Sequence, residues 1–384
     1  MMQRVLIVCV SFVFIAIGLV AQSHAEGKRK FKDQIKVMGQ TGQCIDCHQD
    51  HTPALFEEWI NSAHAKANVG CQDCHSSQKG EPDTFLHAEK FYIRTVVTPF
   101  VCGKCHKDEQ RDYFTSGHAK SLELLLQMKE NDPRYPIVSQ YKDDDFRQCG
   151  GCHGVKVEHG KGNFPDPVTW PNSGAGRINP NKSHGNCASC HMTHRFSVAA
   201  ARQPETCLRC HDGANYPEGD IYRNSAHGVL YETQVDKKVL ERTGYYLDGE
   251  AMVSPTCSFC HLNGSGHGLL TRHNGAWRLP RDLTHPEAPM ALERKENLRN
   301  NMKSVCNQCH ASSVINRFFQ EADKQLEEYQ ATVMVPGIAR YKDMLDSVQE
   351  EGRQALLKEY NVFLTEGKRY RMNLYMGRHG RVQR

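Results

Sequence analysis

The chain has 384 residues, with 48 lysines and arginines against 44 aspartates and glutamates, and a formal net charge of +4. A charge so close to balance does not provide the basic surface that nucleic-acid binding requires, so we predict no nucleic-acid partner. The mean hydropathy of −0.62 is low for a chain that must bury a core.

The first 25 residues have the pattern of a secretory signal. Arg4 precedes an apolar run from Val5 to Val20, and small residues follow at Ser23-His24-Ala25. We expect cleavage after Ala25 and a periplasmic or otherwise extracytoplasmic mature protein. The alternative is an uncleaved membrane anchor, which the short apolar run and the small-residue end disfavour.

Cysteine usage is the most informative feature of the rest of the chain. Of the 17 cysteines, only Cys9 in the signal lies outside eight copies of the pattern Cys-x-x-Cys-His. This pattern is typical of c-type haem attachment. The copies are Cys44/Cys47/His48, Cys71/Cys74/His75, Cys102/Cys105/His106, Cys149/Cys152/His153, Cys187/Cys190/His191, Cys207/Cys210/His211, Cys257/Cys260/His261 and Cys306/Cys309/His310.

The spacing has a mechanical reason. Two thiols on one helical turn can reach the two vinyl groups of a haem, and the histidine that follows is then an axial ligand of the iron. Zinc ribbons and disulfides do not require a histidine after each second cysteine. We therefore predict eight covalently attached haems c, which supply much of the buried apolar surface that the polar chain lacks.

The chain between the motifs predicts a mainly α fold. The intervals between successive motif histidines vary from 20 to 50 residues, which excludes a solenoid repeat. Strand patterns are scarce, and residues 154–186 are predicted as a long loop rich in Gly, Pro and Asn. Helical spacing is predicted at residues 52–66, 108–130, 290–305 and most of 311–371.

These patterns suggest three segments. Residues 1–25 form the signal peptide, residues 26–310 form a cytochrome domain with a packed octahaem core, and residues 311–384 form a C-terminal helical region. A helical hairpin is expected in the last segment, where Phe318, Ala322 and Leu326 share one face. That face either packs on the haem domain or forms an oligomer interface.

Twelve histidines of the mature chain lie outside the motifs and are available as second axial ligands. Three of them share the local sequence Ser-x-His, which makes them the first candidates: His64, His118 and His227. His87, His194 and His273 come next. The remaining six are weaker candidates, because a lone histidine is more often a surface residue: His51, His159, His184, His267, His285 and His379.

Several stretches beyond the haem motifs resemble the octahaem hydroxylamine oxidoreductase family. They are Trp170-Pro171-Asn172 with Gly176-Arg177-Ile178-Asn179-Pro180, His194-Arg195-Phe196-Ser197, Arg202-Gln203-Pro204-Glu205, Val97-Thr98-Pro99, Trp277-Arg278-Leu279 and the Ser-x-His elements. The resemblance covers residues 40–378. It is more specific than the haem motifs alone, which unrelated cytochromes share.

The resemblance implies a mostly helical trimer in which seven haems carry electrons and the fourth is catalytic, open on its distal side. That haem is attached at Cys149 and Cys152 and ligated by His153. The implied chemistry is redox conversion of small inorganic nitrogen compounds, hydroxylamine or nitrite, with a partner cytochrome or quinone-linked complex. The glycines around this motif suggest either reduced bulk beside the haem or ordinary turn flexibility.

Two departures from the family bear on the direction of the reaction. No segment matches the tyrosine that cross-links the catalytic haem of a neighbouring subunit in oxidative members, and Tyr375 is the nearest remnant. Where the family has an acidic residue and a histidine at the active site, this chain has Asn215 and Tyr216, and Asn cannot act as a carboxylate base. Together with His153, these two residues are our candidate catalytic groups.

The departures favour reduction, but they leave a second function open. In that alternative the chain is a non-catalytic electron-transfer subunit paired with a full-length homologue, so the assembly is either a homotrimer or a hetero-oligomer. Reduction of a sulfur oxyanion is a third option. It is disfavoured because related proteins with that activity replace the histidine of the catalytic motif, and His153 is present.

Overall fold

The computed structural model describes residues 41–213, 216–234, 237–241, 254–264, 271–278 and 292–377. Asn215, His267, His285 and His379 therefore lie outside the described residues. The chain divides into two compact units, Met1–Ser76 and Ser77–Arg384. The prediction of a mainly α fold is confirmed, since most of the structure is helical.

The described part of the first unit is built from four helices: Thr41–His51, Pro53–Ile60, Ala63–Lys66 and Cys71–His75. The single helix predicted at residues 52–66 is interrupted because the Ser62 hydroxyl accepts a hydrogen bond from the backbone N–H of Ala65 and so caps a new helix. Ile45 and Trp59 are buried in this unit.

The second unit starts with an antiparallel hairpin, which the sequence analysis did not predict. Strands Thr84–His87 and Phe91–Arg94 pair with Thr84 opposite Arg94 and His87 opposite Phe91. It is the one sheet in the described part of the chain. The hairpin is short and local, so a mainly α fold is not altered by it.

Short helices follow, and the haem motifs lie within these helices or at their ends. The α-helices up to the eighth motif are Pro99–Cys102, Lys107–Phe114, Ser121–Leu126, Tyr135–Val138, Gly150–His153, Ala188–His191, Val198–Arg202, Pro204–Leu208, Glu218–Arg223, Ala226–Gln234, Cys257–Leu262 and Leu292–Cys306. Short 3₁₀ helices lie at Ser139–Asp144, Arg147–Cys149, Lys161–Asn163, Lys237–Glu241 and Gly275–Arg278. The helix predicted at residues 108–130 is therefore two helices, and Ser116 and His118 lie in the turn between them.

The predicted loop at residues 154–186 is ordered around one buried side chain, Arg177. Its guanidinium donates to Asn179 Oδ1 at 2.8 Å, to the carbonyl of Asn172 at 3.2 Å and to the carbonyl of Val97 at 2.9 Å. It also lies 5.0 Å from the ring centre of Trp170. Arg177 thus joins the loop to the residues that precede the third motif.

Long helices end the described chain: Ser312–Tyr329, Val335–Ser347 and Glu350–Tyr375, with a π-helical turn at Gln330–Met334 between the first two. Their apolar faces pack on one another. Ala322, Leu326 and Leu374 form one cluster, and Leu345, Leu356, Leu357 and Tyr360 form a second. None of the helices in the described ranges combines the length and the apolar character that a membrane span needs.

Candidate functional site

The haem motifs form single helical turns. In the third, fifth, sixth and eighth motifs the N–H of the histidine donates to the carbonyl of the first cysteine at 2.9–3.1 Å. This bond holds the backbone so that both thiols and the imidazole belong to one turn. The sixteen motif cysteines are all free thiols, which haem attachment requires.

Thiols from different motifs lie in contact with one another. The close pairs are Cys44 with Cys71, Cys102 with Cys187, Cys207 with Cys257 and Cys152 with Cys210. The first two motifs are therefore neighbours within their unit. In the second unit the third motif neighbours the fifth, and the sixth neighbours both the fourth and the seventh.

The predicted haem-binding residues of the first three motifs are less buried than a packed core suggests. Cys47, Cys105 and His106 are exposed, and Cys74 is only half-buried. The burial of these side chains is lower than expected because the polypeptide alone does not enclose them. A haem attached at the thiols would lie over them. His106 is close enough to His273 to contribute to the lowered pKa of that imidazole. Haem attachment at Cys47, Cys74 and Cys105 and iron ligation by His106 stay predictions.

Three motif histidines face a histidine from elsewhere in the chain. The ring centres are 6.1 Å apart for His118 and His211, 6.2 Å for His191 and His273, and 6.1 Å for His227 and His310. A ligating imidazole nitrogen lies about 2 Å from its metal and about 1.1 Å from its own ring centre, so two axial imidazoles on one metal have centres about 6.2 Å apart. The three pairs match that separation.

The environment of these histidines suits iron ligation. Desolvation lowers the pKa of His118 to about 4, with a smaller contribution from His211, and desolvation also lowers the pKa of His273. A neutral imidazole is the form that binds a metal.

Within the described ranges no three His, Cys, Asp or Glu side chains form a cluster that could hold an ion by themselves, so zinc-type sites are not supported there. The free thiols and paired imidazoles fit haem c.

The three Ser-x-His elements share one backbone structure. Ser62, Ser116 and Ser225 are buried, and each hydroxyl accepts from the N–H three residues later at 3.1 Å. The cap fixes the turn that carries the histidine. Each serine N–H in turn donates to the carbonyl of an aromatic residue three positions earlier, at 2.8–2.9 Å.

Those aromatic residues are Trp59, Tyr113 and Tyr222, and sequence reasoning missed them. All three are buried, and each donates its polar group to a backbone carbonyl further along the chain: Val69 at 3.1 Å, Ala175 at 2.7 Å and Pro255 at 3.2 Å. The full element is therefore aromatic-x-x-Ser-x-His. The aromatic residue three positions before the serine was the available sequence signal.

Replacing Ser225 by alanine should lower the free energy of unfolding by about 1–2 kcal/mol, because the Gly228 N–H loses its buried acceptor. We also expect a broadened low-spin signal from the haem at His310, whose partner His227 loses its fixed turn. Ser197 caps a helix with the same geometry, accepting from Ala200 at 3.1 Å, without a histidine two residues later. Ser197→Ala should cost similar stability and leave the spectrum unchanged; equal spectral changes would contradict this role.

His153 of the fourth motif has a different environment. Its Nδ1 lies 3.3 Å from the carbonyl oxygen of Ser121, and the Ser121 hydroxyl donates to the His153 carbonyl at 2.9 Å. A proton on Nδ1 leaves Nε2 as the metal-binding nitrogen. Desolvation lowers the pKa of His153, and the bond to Ser121 opposes that shift. Among the described residues, no second imidazole faces this ring.

The glycines around the fourth motif have mainly backbone reasons. Gly154 has φ of +90°, and a Cβ there would overlap the backbone of Arg177. A Cβ at Gly150 would meet the Val155 side chain, whereas Gly151 has open space around it. The turn requirement thus accounts for Gly154, and close packing accounts for Gly150; only Gly151 fits the idea of reduced bulk.

A polar group lies beside the fourth motif. Tyr216 is near enough to Cys149 and Cys152 for both thiols to contribute to its raised pKa, although desolvation is the main cause. Lys368 Nζ lies 4.4 Å from the centre of the Tyr216 ring and 2.7 Å from Glu218 Oε1. Glu218 also lies 3.6 Å from Nδ1 of His211, the histidine of the sixth motif. Asn215, the remaining candidate catalytic residue, lies outside the described ranges.

Other candidate ligands have varied positions. His87 ends the first strand, and its ring centre lies 6.5 Å from that of Phe85. His194 follows the fifth motif with φ of 60°. His184 Nδ1 lies 3.7 Å from Glu123 Oε2. Among the motif histidines, His48 forms a hydrogen bond between its Nδ1 and Thr52 Oγ1 at 2.8 Å. His51 ends the first helix and His159 lies in the long loop.

Tyr375 lies within the C-terminal helices. Its hydroxyl donates to Asp323 Oδ1, and the Arg299 guanidinium lies 5.0 Å from its ring centre. Desolvation and the bond to Asp323 raise the pKa of Tyr375. The side chain is therefore held by contacts within its own chain.

Sequence comparison agrees with this geometry. Residues 66–350 match the family described as "seven times multi-haem cytochrome CxxCH". The chain belongs to this multihaem cytochrome family. Residues 16–76 also match the family of cytochrome c554 and c-prime. These families support covalently bound haem c as the cofactor of the cytochrome.

Two curated relatives of this cytochrome have names from nitrogen metabolism. A probable nitrite reductase-hydroxylamine oxidoreductase fusion protein of Kuenenia stuttgartiensis is 24% identical over 334 residues, which is 74% of this chain and 36% of the relative. The cytochrome c nitrite reductase subunit NrfA of Nitratidesulfovibrio vulgaris is 31% identical over 81 residues, 20% of this chain and 16% of the relative. The chain thus spans about a third or less of these proteins, whose names describe oxidoreductases.

Two solved structures share the fold of the cytochrome. A hypothetical multihaem protein superposes with a TM-score of 0.72 at 20% identity, covering 90% of this chain and 92% of the other. The reducing HAO-like protein complex of Kuenenia stuttgartiensis gives 0.52 at 21% identity, covering 86% and 71%. The superpositions show a likeness of fold.

Proposed function

We propose that this chain is an exported octahaem c-type cytochrome that interconverts small nitrogen compounds, hydroxylamine or nitrite, with reduction favoured. The observation that carries the proposal is the contrast between motif histidines. His191, His211 and His310 each face a second imidazole at 6.1–6.2 Å, whereas His153 faces none among the described residues. Paired imidazoles suit electron transfer, and an iron with one histidine can bind a substrate.

The thiol contacts support passage of electrons to the fourth haem. Cys152 of the fourth motif contacts Cys210 of the sixth, and Cys207 of the sixth contacts Cys257 of the seventh. Haems attached at these cysteines would be neighbours. Reduction of nitrite to ammonium requires several electrons, and a chain of adjacent haems can deliver them one at a time.

The seventh motif needs separate comment, because His261 also faces no second imidazole among the described residues. Two histidines near it in sequence, His267 and His285, lie outside those residues. We assign the open position to the fourth motif for two reasons. Tyr216 lies near its two cysteines, and the resemblance to hydroxylamine oxidoreductases indicates the fourth haem.

The direction of the reaction rests on Tyr375. In oxidative relatives a tyrosine cross-links the catalytic haem of a neighbouring subunit, but here the Tyr375 hydroxyl bonds to Asp323 of its own chain. A haem without the cross-link is suited to reduction. We further propose a periplasmic or otherwise extracytoplasmic location, a redox partner that is a cytochrome or a quinone-linked complex, and a homotrimer or a hetero-oligomer with a homologue.

Ligand binding and electron paramagnetic resonance of the purified holoprotein test the proposal. We expect one high-spin haem in the oxidised protein, carbon monoxide binding to one haem in the reduced protein, no band of a cross-linked haem, and reduction of nitrite or hydroxylamine with a viologen donor. If all haems are low-spin and carbon monoxide does not bind, the protein is a non-catalytic electron-transfer subunit. An open haem without reductase activity would also contradict the proposal.

A further inference from the structure

The segment that carries His273 docks on the end of the helix Lys107–Phe114. Asp112 Oδ2 accepts hydrogen bonds from the backbone N–H of His273 and from that of Asn274, the latter at 3.2 Å. The Asn274 amide donates to Thr115 Oγ1 at 2.9 Å and to the Thr115 carbonyl at 3.3 Å. Two residues at the helix end thus hold the turn that contains this histidine.

Asp112 also holds the residue before His273. Its Oδ1 lies 2.8 Å from the Arg272 guanidinium, and the two side chains are 11% and 17% accessible. The guanidinium lies 4.5 Å from the ring centre of Trp277, and the Arg272 N–H donates to the carbonyl of Leu262 at 2.7 Å. A largely buried carboxylate that contacts three consecutive residues fixes their turn more strongly than an exposed ion pair would.

The same helix holds the opposite side of the fifth motif. The Tyr113 hydroxyl accepts a hydrogen bond from the N–H of Asn186 at 3.1 Å, and Asn186 directly precedes Cys187. Cys187 belongs to the motif whose histidine, His191, faces His273 with ring centres 6.2 Å apart. Two neighbouring residues of one helix therefore anchor the segments that carry both imidazoles.

We propose that Asp112 is a positioning residue that sets His273 as the second axial ligand of the haem of the fifth motif. Hydrogen bonds to the backbone of the ligand's own turn preorganise the imidazole and resist its displacement from iron. The helix begins directly after His106, so it links the third motif with both axial sides of the fifth haem. The proposal rests on haem attachment within the proposed function, and it does not require an open haem at His153.

Spin state and ligand binding of the holoprotein test this role. Asp112→Leu has a similar branched shape but accepts no hydrogen bond, so the turn at residues 272–274 loses its buried acceptor. Compared with wild type, we expect about one more haem equivalent to become high-spin in the oxidised protein and to bind carbon monoxide in the reduced protein. Electron paramagnetic resonance and carbon monoxide titration measure the two changes.

Three variants separate positioning from general destabilisation. Asp112→Asn keeps an oxygen that can accept from His273 and Asn274, so it should retain most of the low-spin signal. Asp108→Leu, on the same helix, removes an exposed carboxylate paired with Arg111 at 2.5 Å and should leave the spectrum unchanged. His273→Ala should reproduce the effect of Asp112→Leu, and the combined variant should gain one high-spin haem rather than two.

Haem content per chain, read from the absorbance, shows whether each variant is assembled. If Asp112→Leu does not retain its haems, Asn274→Leu tests the same docking. It removes the two bonds to Thr115 and should give a smaller gain in carbon monoxide binding. An assembled Asn274→Leu without any gain would then overturn the proposal.

Other outcomes would also overturn the role of Asp112. They are a wild-type spin state in Asp112→Leu, an equal change in Asp108→Leu, and an equal loss of low-spin signal in Asp112→Asn. Two additional high-spin haems in the combined variant would assign Asp112 to a different haem, and an unchanged spectrum from His273→Ala would show that His273 is not the ligand. The open fourth haem is tested separately, by ligand binding to the wild-type protein, so the two failures are distinguishable.

Discussion

Replacing His118 by alanine should convert one low-spin haem per chain to a high-spin haem. His118 faces His211 at 6.1 Å, the separation of two axial imidazoles on one iron. Alanine cannot ligate iron, so the sixth-motif haem would keep only His211. Spin quantification of the oxidised protein and carbon monoxide binding to the reduced protein measure the change, and one additional haem equivalent should respond in each.

Matched variants make this result specific. His227→Ala should have the same effect on the haem of the eighth motif, because His227 faces His310 at the same distance. His159 lies exposed in the long loop, and His159→Ala should leave the spectrum unchanged. A wild-type spectrum from His118→Ala would show that His118 and His211 do not share an iron.

Replacing Arg177 by methionine should lower the free energy of unfolding by about 3–5 kcal/mol. The guanidinium is buried and donates to Asn179 and to the carbonyls of Asn172 and Val97. Methionine fills a similar volume but donates nothing, so several buried acceptors would lose their partners. Denaturant unfolding followed by haem absorbance measures the loss, and we expect a lower midpoint.

Arg177→Lys and Arg147→Met serve as comparisons. Lysine keeps the charge but lacks the planar fork that reaches three acceptors, so it should recover only part of the stability. Arg147 is exposed two residues before Cys149, and Arg147→Met should stay within about 0.5 kcal/mol of wild type. If Arg177→Met is as stable as Arg147→Met, Arg177 does not hold the loop.

The features that sequence predicts well here are local. The haem motifs and the helical content depend on residues a few positions apart, and the mainly α fold follows from them. His118, His227 and His273 remain predictions as distal ligands, but the ring separations support them. The Ser-x-His pattern was informative because a capping serine acts on the N–H three residues away.

The features that sequence did not reveal depend on distant contacts. Tyr113 bonds to Ala175, Arg177 bonds to Val97, and Lys368 pairs with Glu218. No local spacing indicates which of many tyrosines, arginines or lysines makes such a contact. The hairpin at Thr84–His87 and Phe91–Arg94 was missed for a different reason, since strands of four residues are too short for a clear alternation of apolar and polar side chains.

The aromatic-x-x-Ser-x-His element offers a rule for protein design. Its serine and histidine are fixed by hydrogen bonds within seven residues, and only the tip of the aromatic side chain reaches a distant carbonyl. A designer could therefore transplant the seven-residue segment, which ends at the capped N–H, into a helical scaffold and provide a single carbonyl for the tyrosine or tryptophan. The segment would present an imidazole in a fixed direction to an engineered cofactor, with most of the required preorganisation already contained in it.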